Sequence, residues 1–236
     1  MPGISYFLTG TDTGVGKTSV CVALIEAFKR KGFRVAAMKP VATGGIKTEA
    51  GVRNPDALRI IEHVNTCHDY QTINPVALTA PVAPVIAAKK DGVRIAAAPI
   101  LEAYQKLSAS ADLVLVEGVG GWQIHLNEDL WMSDLVRLLN LPVILVVGIR
   151  LGCINHAILT AAAISLAGCR LHGWIANQLD KDYQDSEETL SLLSETLAAP
   201  LLAVVPCLPQ PEPEQQAAAM AEIFLPHISK IYTTAG

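Results

Sequence analysis

Residues 10–18 read Gly10-Thr11-Asp12-Thr13-Gly14-Val15-Gly16-Lys17-Thr18. They follow an apolar run, Ile4 to Leu8, and precede Val20, Ala23, Leu24, Ala27 and Phe28 at helical spacing. A strand, a glycine-rich turn and a helix in that order make a phosphate cradle. Backbone N–H groups at the helix start point at the anion, and the helix dipole favours negative charge there. In such a loop Lys17 reaches the β- and γ-phosphates and the Thr18 hydroxyl ligates Mg²⁺. The usual pattern needs glycine six residues before the lysine; Thr11 stands there, and Gly10 is one residue further out. The alternative, a chance glycine-rich turn, fits the strand–turn–helix context poorly.

Further candidates stand where apolar strands end. Lys39 follows the run from Arg34 and precedes Pro40-Val41-Ala42-Thr43-Gly44. A cation there suits a transferring phosphoryl group, with Thr43 as a nearby hydroxyl; the plain alternative is a solvated surface lysine. Glu117 ends Leu113–Glu117 and leads into Gly118-Val119-Gly120-Gly121-Trp122. Nucleotide hydrolases place a Mg²⁺-holding carboxylate at such a point, although a turn-capping glutamate has the same setting. Asp56 follows Pro55 and reads either as a metal ligand or as an acid favoured in a first helical turn. Thr18, Asp56 and Glu117 together would give Mg²⁺ the hydroxyl and carboxylates it prefers. Gly152-Cys153-Ile154-Asn155 precedes a helix and offers a second anion site, unless Asn155 is only a cap. Asn177 can pair with N6 and N7 of adenine or sit in an ordinary turn.

These residues need elements to carry them. Apolar, β-branched runs are expected as strands at Ile4–Leu8, Arg34–Lys39, Leu113–Glu117, Val143–Val147, Leu171–Ala176 and Leu201–Val205. Helical patterns span Lys17–Lys31, Asp56–Val64, Pro99–Ser110, Met132–Leu139, Asn155–Ala167, Ser186–Ala198 and about Glu214 to His227. This alternation predicts an α/β fold: a single P-loop domain, with a mainly parallel sheet and helices on both faces. Ligands then sit beyond the carboxyl ends of the strands. The stretches 40–55 and 71–98 read as long loops, and 206–214 as a proline-stiffened connection. The domain is expected to span 1–236, with the last ten or so residues a loose tail.

Just over half of the 236 residues are apolar and 17% are charged, which suits a doubly covered sheet and a partner subunit over part of it. A net charge of −4 gives no electrostatic footprint for nucleic acid or an anionic membrane. No run of eighteen apolar residues appears, and Ile4–Leu8 is too short for a signal peptide. The five cysteines are scattered with no Cys-x-x-Cys pair, so a reduced, cytoplasmic protein is expected. His63, Cys67 and His68 are the nearest approach to a metal cluster, and their spacing is poor for one.

The words 10–18, Lys39-Pro40-Val41-Ala42-Thr43-Gly44, Arg53-Asn54-x-Asp56-Ala57-Leu58, 116–122, 151–157 and Gly173-Trp174-Ile175-Ala176-Asn177 occur in one order. In these the chain resembles the dethiobiotin synthetases, from about residue 4 to residue 213. The resemblance implies Mg²⁺- and ATP-dependent closure of a cyclic urea from 7,8-diaminopelargonic acid and CO₂. A carbamate forms, takes the γ-phosphoryl group, and is attacked by the second amine.

The resemblance makes Lys39 and Lys17 catalytic, and Thr18, Asp56 and Glu117 the metal ligands. It gives nucleotide contacts to Thr13, Gly14, Val15, Gly16, Lys17 and Thr18, and to Asp56, Glu117, Gly118, Val119 and Gly120. Asn177, Gln178, Pro206, Cys207 and Leu208 complete that set around the base. Thr11, Thr43, Gly152, Cys153, Ile154 and Asn155 fall to the substrate, whose carboxylate would be bound across a homodimer interface. Three positions depart from the pattern: Gly14 stands for a glutamate found in some relatives, Gln178 for a common aspartate, and Cys207 for an aromatic residue.

Two rivals fit less well. Partitioning-type switch ATPases carry a lysine five residues before Lys17, where Asp12 stands. Amidotransferases of the cobyrinate class need an added glutaminase domain, for which 236 residues leave no room. A non-enzymatic nucleotide-binding module stays open if Lys39 and Glu117 are structural only.

Overall fold

The runs 5–10, 113–117 and 143–149 are buried without interruption, as strands in a sheet covered on both faces must be. In the computed structural model, residues 3–207 and 213–232 are described. The first half holds β1 (Ile4–Gly10), α1 (Lys17–Arg30), β2 (Val35–Met38), β3 (Val41–Ala42), β4 (Ile46–Thr48) and β5 (Gly51–Arg53). There follow α2 (Pro55–His63), α3 (Tyr70–Ile73), β6 (Val76–Ala77), α4 (Pro84–Asp91) and α5 (Ala97–Ser110). The second half holds β7 (Leu113–Glu117), α6 (Met132–Leu139), β8 (Val143–Ile149), α7 (Cys153–Leu166), β9 (Leu171–Gln178) and α8 (Ser186–Thr196). After β10 (Leu201–Val205) come α9 (Pro213–Phe224), a 3₁₀ turn at Leu225–His227 and α10 (Ile228–Ile231).

Six strands form one sheet in the order β10-β9-β8-β1-β7-β2, and every pairing in it is parallel. Helices α1 and α5 both pack on β2 and β7, from opposite faces, so the expected α/β architecture is present. The chain first moves from β1 toward β2 and later returns to the other side of β1 with β8. The sheet order therefore reverses at β1, and the loop after Gly10 opens at that switch point, where open α/β sheets bind ligands.

The stretches expected as loops carry structure. Residues 46–53 form a two-stranded antiparallel hairpin, and β3 pairs with β6 as a small parallel ribbon. Helix α7 begins at Cys153, two residues before the expected start, because Gly152 (φ 90°) makes the N-cap with backbone alone. Strand β8 continues through Gly148 to Ile149. A Cβ on Gly148 would lie 2.6 Å from Leu179 Cδ1, so this glycine serves close packing and does not break the strand.

At the end of the sheet away from the switch point, Tyr6 Oη and His172 Nε2 both donate to the Ile231 carbonyl, at 2.6 and 2.9 Å. They pin α10, whose Ile231 is buried; residues 233–236 of the expected tail lie outside the described residues. Burial holds the His172 imidazole below its ordinary value, with Arg170 acting the same way against the Ile231 hydrogen bond. The unfolded chain therefore takes up this proton first as pH falls, so stability present above about pH 6.5 is lost below it. His172→Gln, which keeps a donor, is expected to flatten the fall of the thermal midpoint between about pH 7 and pH 5. Parallel curves for the two proteins would remove His172 from that dependence.

Candidate functional site

Strand register alone brings two charged residues together. Met38 pairs with Val116 and Leu8 with Glu117. The next residue after Met38 is Lys39, which therefore emerges beside Glu117 with the loop after β1 on the far side. Lys39 is 3% exposed and Glu117 is 0% exposed, and the Lys39 ammonium bonds Glu117 Oε1 directly. The same Nζ donates to Asp56 Oδ2 at 3.2 Å. Burial pulls the Lys39 ammonium toward neutrality, but the Glu117 and Asp56 charges outweigh it and hold its pKa above the ordinary lysine value. Lys39 is thus a buried lysine paired with two carboxylates and not a solvated one.

Asp56 is placed by its helix start. Asn54 Oδ1 accepts from the Asp56 and Ala57 N–H groups at 3.0 and 3.3 Å, and Pro55 occupies the first turn. Such a cap satisfies N–H groups that the helix cannot, and is worth about 1 kcal/mol. Half-exposed, the Asp56 carboxylate faces Lys39 from outside while Glu117 faces it from within.

The loop 11–16 turns on Gly14 (φ 76°) and Gly16 (φ 86°), conformations that L side chains rarely adopt. No atom lies within 4 Å of a Cβ built on Gly14, so a glutamate there would meet backbone strain but no collision. At Gly16 a Cβ would fall 2.3 Å from Asn177 Nδ2, so glycine is required on both counts. Lys17 is buried, with Nζ donating to the Asp12 carbonyl at 2.9 Å. Burial pushes its ammonium down to about 8, against the nearby Glu117 charge, which a bound phosphate would reinforce. Asp12 accepts from its neighbour Thr13 N–H at 2.7 Å and from Arg150 at 3.1 Å. That ion pair ties the loop to the residue after β8, two positions before Gly152.

Thr18 Oγ1 donates to Glu117 Oε1 at 2.7 Å, whereas Glu117 Oε2 is buried with no hydrogen-bond partner. A buried carboxylate oxygen left unpaired is costly. Thr18, Asp56 and Glu117 are all oxygen donors, and a hard divalent cation at Oε2 would satisfy it. The donor set fits Mg²⁺.

The glycines after Glu117 let backbone pass closely. A Cβ on Gly118 would lie 2.8 Å from Phe7 Cζ, and Gly120 (φ 64°) turns the chain near Thr13. Val119 is half-buried between them. Thr11 and Thr43 are both half-buried; the Thr11 N–H donates to the Val146 carbonyl, and the Thr43 carbonyl accepts from Asn54 Nδ2 at 2.9 Å.

The base-side residues are placed less uniformly. Asn177 is buried beneath the loop, and Nδ2 donates to the Val15 carbonyl at 2.9 Å. One amide hydrogen and Oδ1 remain for a ligand. Gln178 turns away toward α8, donating to Ser186 Oγ at 2.9 Å. Pro206 and Cys207 are exposed past β10, while Leu208 lies outside the described residues. At α7, Cys153 is buried, Ile154 half-buried and Asn155 exposed; no side chain caps the helix, so Asn155 is not its cap. His63 instead faces Glu26 and His68 faces Ser110, and among the described residues no group of three or more His, Cys, Asp or Glu side chains could hold a metal.

Tyr70 and Asn74, hydrogen-bonded to each other beside the Lys39 backbone, are outside the expected set. Asn74 lies in the stretch 71–98 expected as loop and Tyr70 directly before it, and nothing in residue spacing signals that this turn docks on Lys39.

Comparison with known proteins gives the family and the fold. A family described as AAA domain matches residues 5–215. The ATP-dependent dethiobiotin synthetase of Xanthomonas oryzae pv. oryzae (strain PXO99A) is 47% identical over 213 residues, covering 90% of this chain and 95% of that protein. The enzyme of the same name from Pseudomonas aeruginosa (strain UCBPP-PA14) is 46% identical, covering 91% and 94%. Among solved structures, the septum site-determining protein MinD of Pyrococcus horikoshii, complexed with Mg-ADP, superposes with a TM-score of 0.63 at 20% identity. The match covers 100% of this chain and 98% of that one. At that identity the likeness concerns the fold alone. No described helix is long and apolar enough to cross a membrane.

Proposed function

The chain belongs to the family of ATP-dependent dethiobiotin synthetases, ligases that form C–N bonds in biotin biosynthesis, and on that premise we propose how its residues divide the reaction. One amine of 7,8-diaminopelargonic acid adds to CO₂ to give a carbamate. A carbamate oxygen takes the γ-phosphoryl group of ATP, releasing ADP. The second amine then attacks the carbamic–phosphoric anhydride, expels phosphate and closes the ring.

The observation that supports this assignment most is the buried Lys39 ammonium, held between Glu117 and Asp56 beside the phosphate loop. Phosphoryl transfer asks the protein for positioning and charge neutralisation. Lys17 and Lys39 supply cations on the two sides of the transferring group, and the N–H groups of residues 13–18 cradle the phosphates. Thr18, Asp56 and Glu117 would hold Mg²⁺, which when bound neutralises phosphate charge. Gly118, Val119 and Gly120 border the nucleotide, Asn177 reads adenine with its free Oδ1 and remaining N–H, and Pro206, Cys207 and Leu208 line the base. Thr11 and Thr43 contact the diamine. Gln178, bound to Ser186, contributes to the base site through its backbone.

We place the substrate carboxylate at Gly152, Cys153, Ile154 and Asn155 of a neighbouring copy. Leu151 and Leu166 are 87% and 89% exposed, and Ile158 and Leu159 are exposed between them along α7. A contiguous apolar face beside a helix N-terminus fits a homodimer interface that delivers backbone N–H groups and Asn155 across it. Asn155→Ala is expected to raise the diamine KM about tenfold, the cost of one charge-assisted hydrogen bond, with kcat little changed. An unaltered KM would remove the carboxylate from Asn155. The scattered, unpaired cysteines support a cytoplasmic setting, and we treat the chain as one functional domain.

Phosphate release from ATP, measured with and without diamine and bicarbonate, tests the whole reading. Turnover should depend on both. Hydrolysis indifferent to the diamine would favour a switch ATPase.

A further inference from the structure

Lys39 lies just past the end of β2, and β2 is the edge strand of the sheet. Its backbone therefore has no further strand to bond on the outer side, yet it is buried and its polar groups need partners. They come from the turn around α3. The Lys39 N–H donates to the Ile73 carbonyl at 2.8 Å, and the Lys39 carbonyl accepts from Asn74 Nδ2 at 2.6 Å.

The network continues from there. Tyr70 Oη donates to Asn74 Oδ1 at 2.8 Å and accepts from the Asn54 N–H at 2.7 Å. Asn54 in turn caps the helix that carries Asp56, and its Nδ2 bonds the Thr43 carbonyl. Asn54 and Asn74 are both almost wholly buried. The Arg53 guanidinium stacks 4.1 Å over the Tyr70 ring and closes the outer side. One connected set of hydrogen bonds thus reaches the backbone of Lys39, of Thr43 and of Asp56. The exposed 46–53 hairpin leaves and returns between two of its members.

We propose that Tyr70 and Asn74, acting with Asn54, are positioning residues that hold Lys39, Thr43 and Asp56 at fixed mutual distances for phosphoryl transfer. None of the three needs to touch substrate. The Tyr70 hydroxyl is the joint of this network: it links the Lys39 backbone, through Asn74, to the cap of the Asp56 helix, through Asn54, and so supports the direct Lys39–Asp56 ion pair from the backbone side. This inference rests on the functional reading above for the consequence it assigns to turnover, but not for the ordering itself.

The experiment compares Tyr70→Phe, Asn74→Asp and the unaltered protein. Tyr70→Phe deletes the joint and keeps the ring under Arg53. Asn74→Asp keeps an acceptor for Tyr70 but removes the donor to the Lys39 carbonyl. Both should exchange backbone hydrogen for deuterium at least fivefold faster in peptides covering 39–43, with no change in β1. Both should lose roughly tenfold in kcat, on the scale of one hydrogen bond, while ADP affinity stays within twofold. The assay is run well below each variant's thermal midpoint. Lower midpoints with unchanged exchange and kcat would reduce the network to ordinary stability and overturn the proposal. Faster exchange with unchanged kcat would equally overturn it. If the unaltered protein shows no diamine-dependent turnover, the functional reading fails by itself, and the exchange data still decide whether the network orders Lys39.

Discussion

Lys39→Ala is expected to lower kcat by about 10³-fold while the Kd for ATP moves less than threefold. The size follows from the role: preorganised charge at a developing anion in a water-poor site is worth roughly 10²–10³ per group, and cationic fingers in phosphoryl transfer reach more. The modest binding effect follows from the geometry. In the proposed site the loop and Lys17 take the phosphates, whereas Lys39 bonds Glu117 and Asp56. Removing the ammonium also leaves the Glu117 carboxylate buried without its cation, a change that typically costs about 3–5 kcal/mol. The ligand-free variant should therefore melt several degrees lower. Adding Mg²⁺ with ADP should recover part of that loss, because a bound cation again compensates Glu117. Lys39→Arg should fail to restore turnover, since a planar guanidinium cannot occupy the point-charge position between the two carboxylates. Single-turnover phosphate release checks the rate and calorimetric nucleotide titration checks the affinity. A kcat within tenfold of the parent would take Lys39 out of the chemistry.

Why Lys39 is so placed was only partly legible in the sequence. Each main strand was visible because buried parallel strands are continuous apolar runs, and Glu117 stood out as the charge that ends one. Lys39 was visible as a charge at a strand end, but its closeness to Glu117 depends on the pairing of Met38 with Val116, which no local pattern encodes. Glycine was misread where it serves packing: Gly148 sits inside β8, and Gly152 starts α7 without the side-chain cap that would have marked the boundary. The 46–53 hairpin escaped because Ile46, Lys47 and Thr48 are all exposed and show no inward–outward alternation. Asn54 carried a readable helix-cap signal before Pro55. Tyr70 and Asn74 carried none, since their partners outside this turn lie 16 and 35 residues away and the helix between them has only four residues. The site's charges were thus legible and the scaffold that fixes their distances was tertiary.

Glu117→Gln is the sharper test of the metal assignment, because it changes charge with almost no change of shape. In the native side chain Oε1 accepts from Thr18 and Lys39, leaving Oε2 buried and unpaired. If the amide oxygen keeps the Oε1 contacts, the NH₂ group takes the Oε2 position, where it can neither ligate a cation nor find an acceptor. The Mg²⁺ concentration for half-maximal turnover should rise at least tenfold, and kcat at saturating Mg²⁺ should fall about 10²–10³-fold. Glu117 is also the strongest influence holding the Lys39 ammonium in its charged form against burial. The variant should therefore carry a Lys39 whose pKa is lower than in the parent. Glu117→Asp keeps the charge but withdraws it by one methylene, and should fall between the two. A readout independent of turnover is the affinity of Mn²⁺ for the ADP-bound protein, followed by electron paramagnetic resonance. A large loss in Glu117→Gln with partial recovery in Glu117→Asp supports Glu117 as a ligand. Equal Mn²⁺ affinity in all three proteins would instead leave it as the buried counter-charge of Lys39, and the cation would have to be held by Thr18, Asp56 and the nucleotide alone.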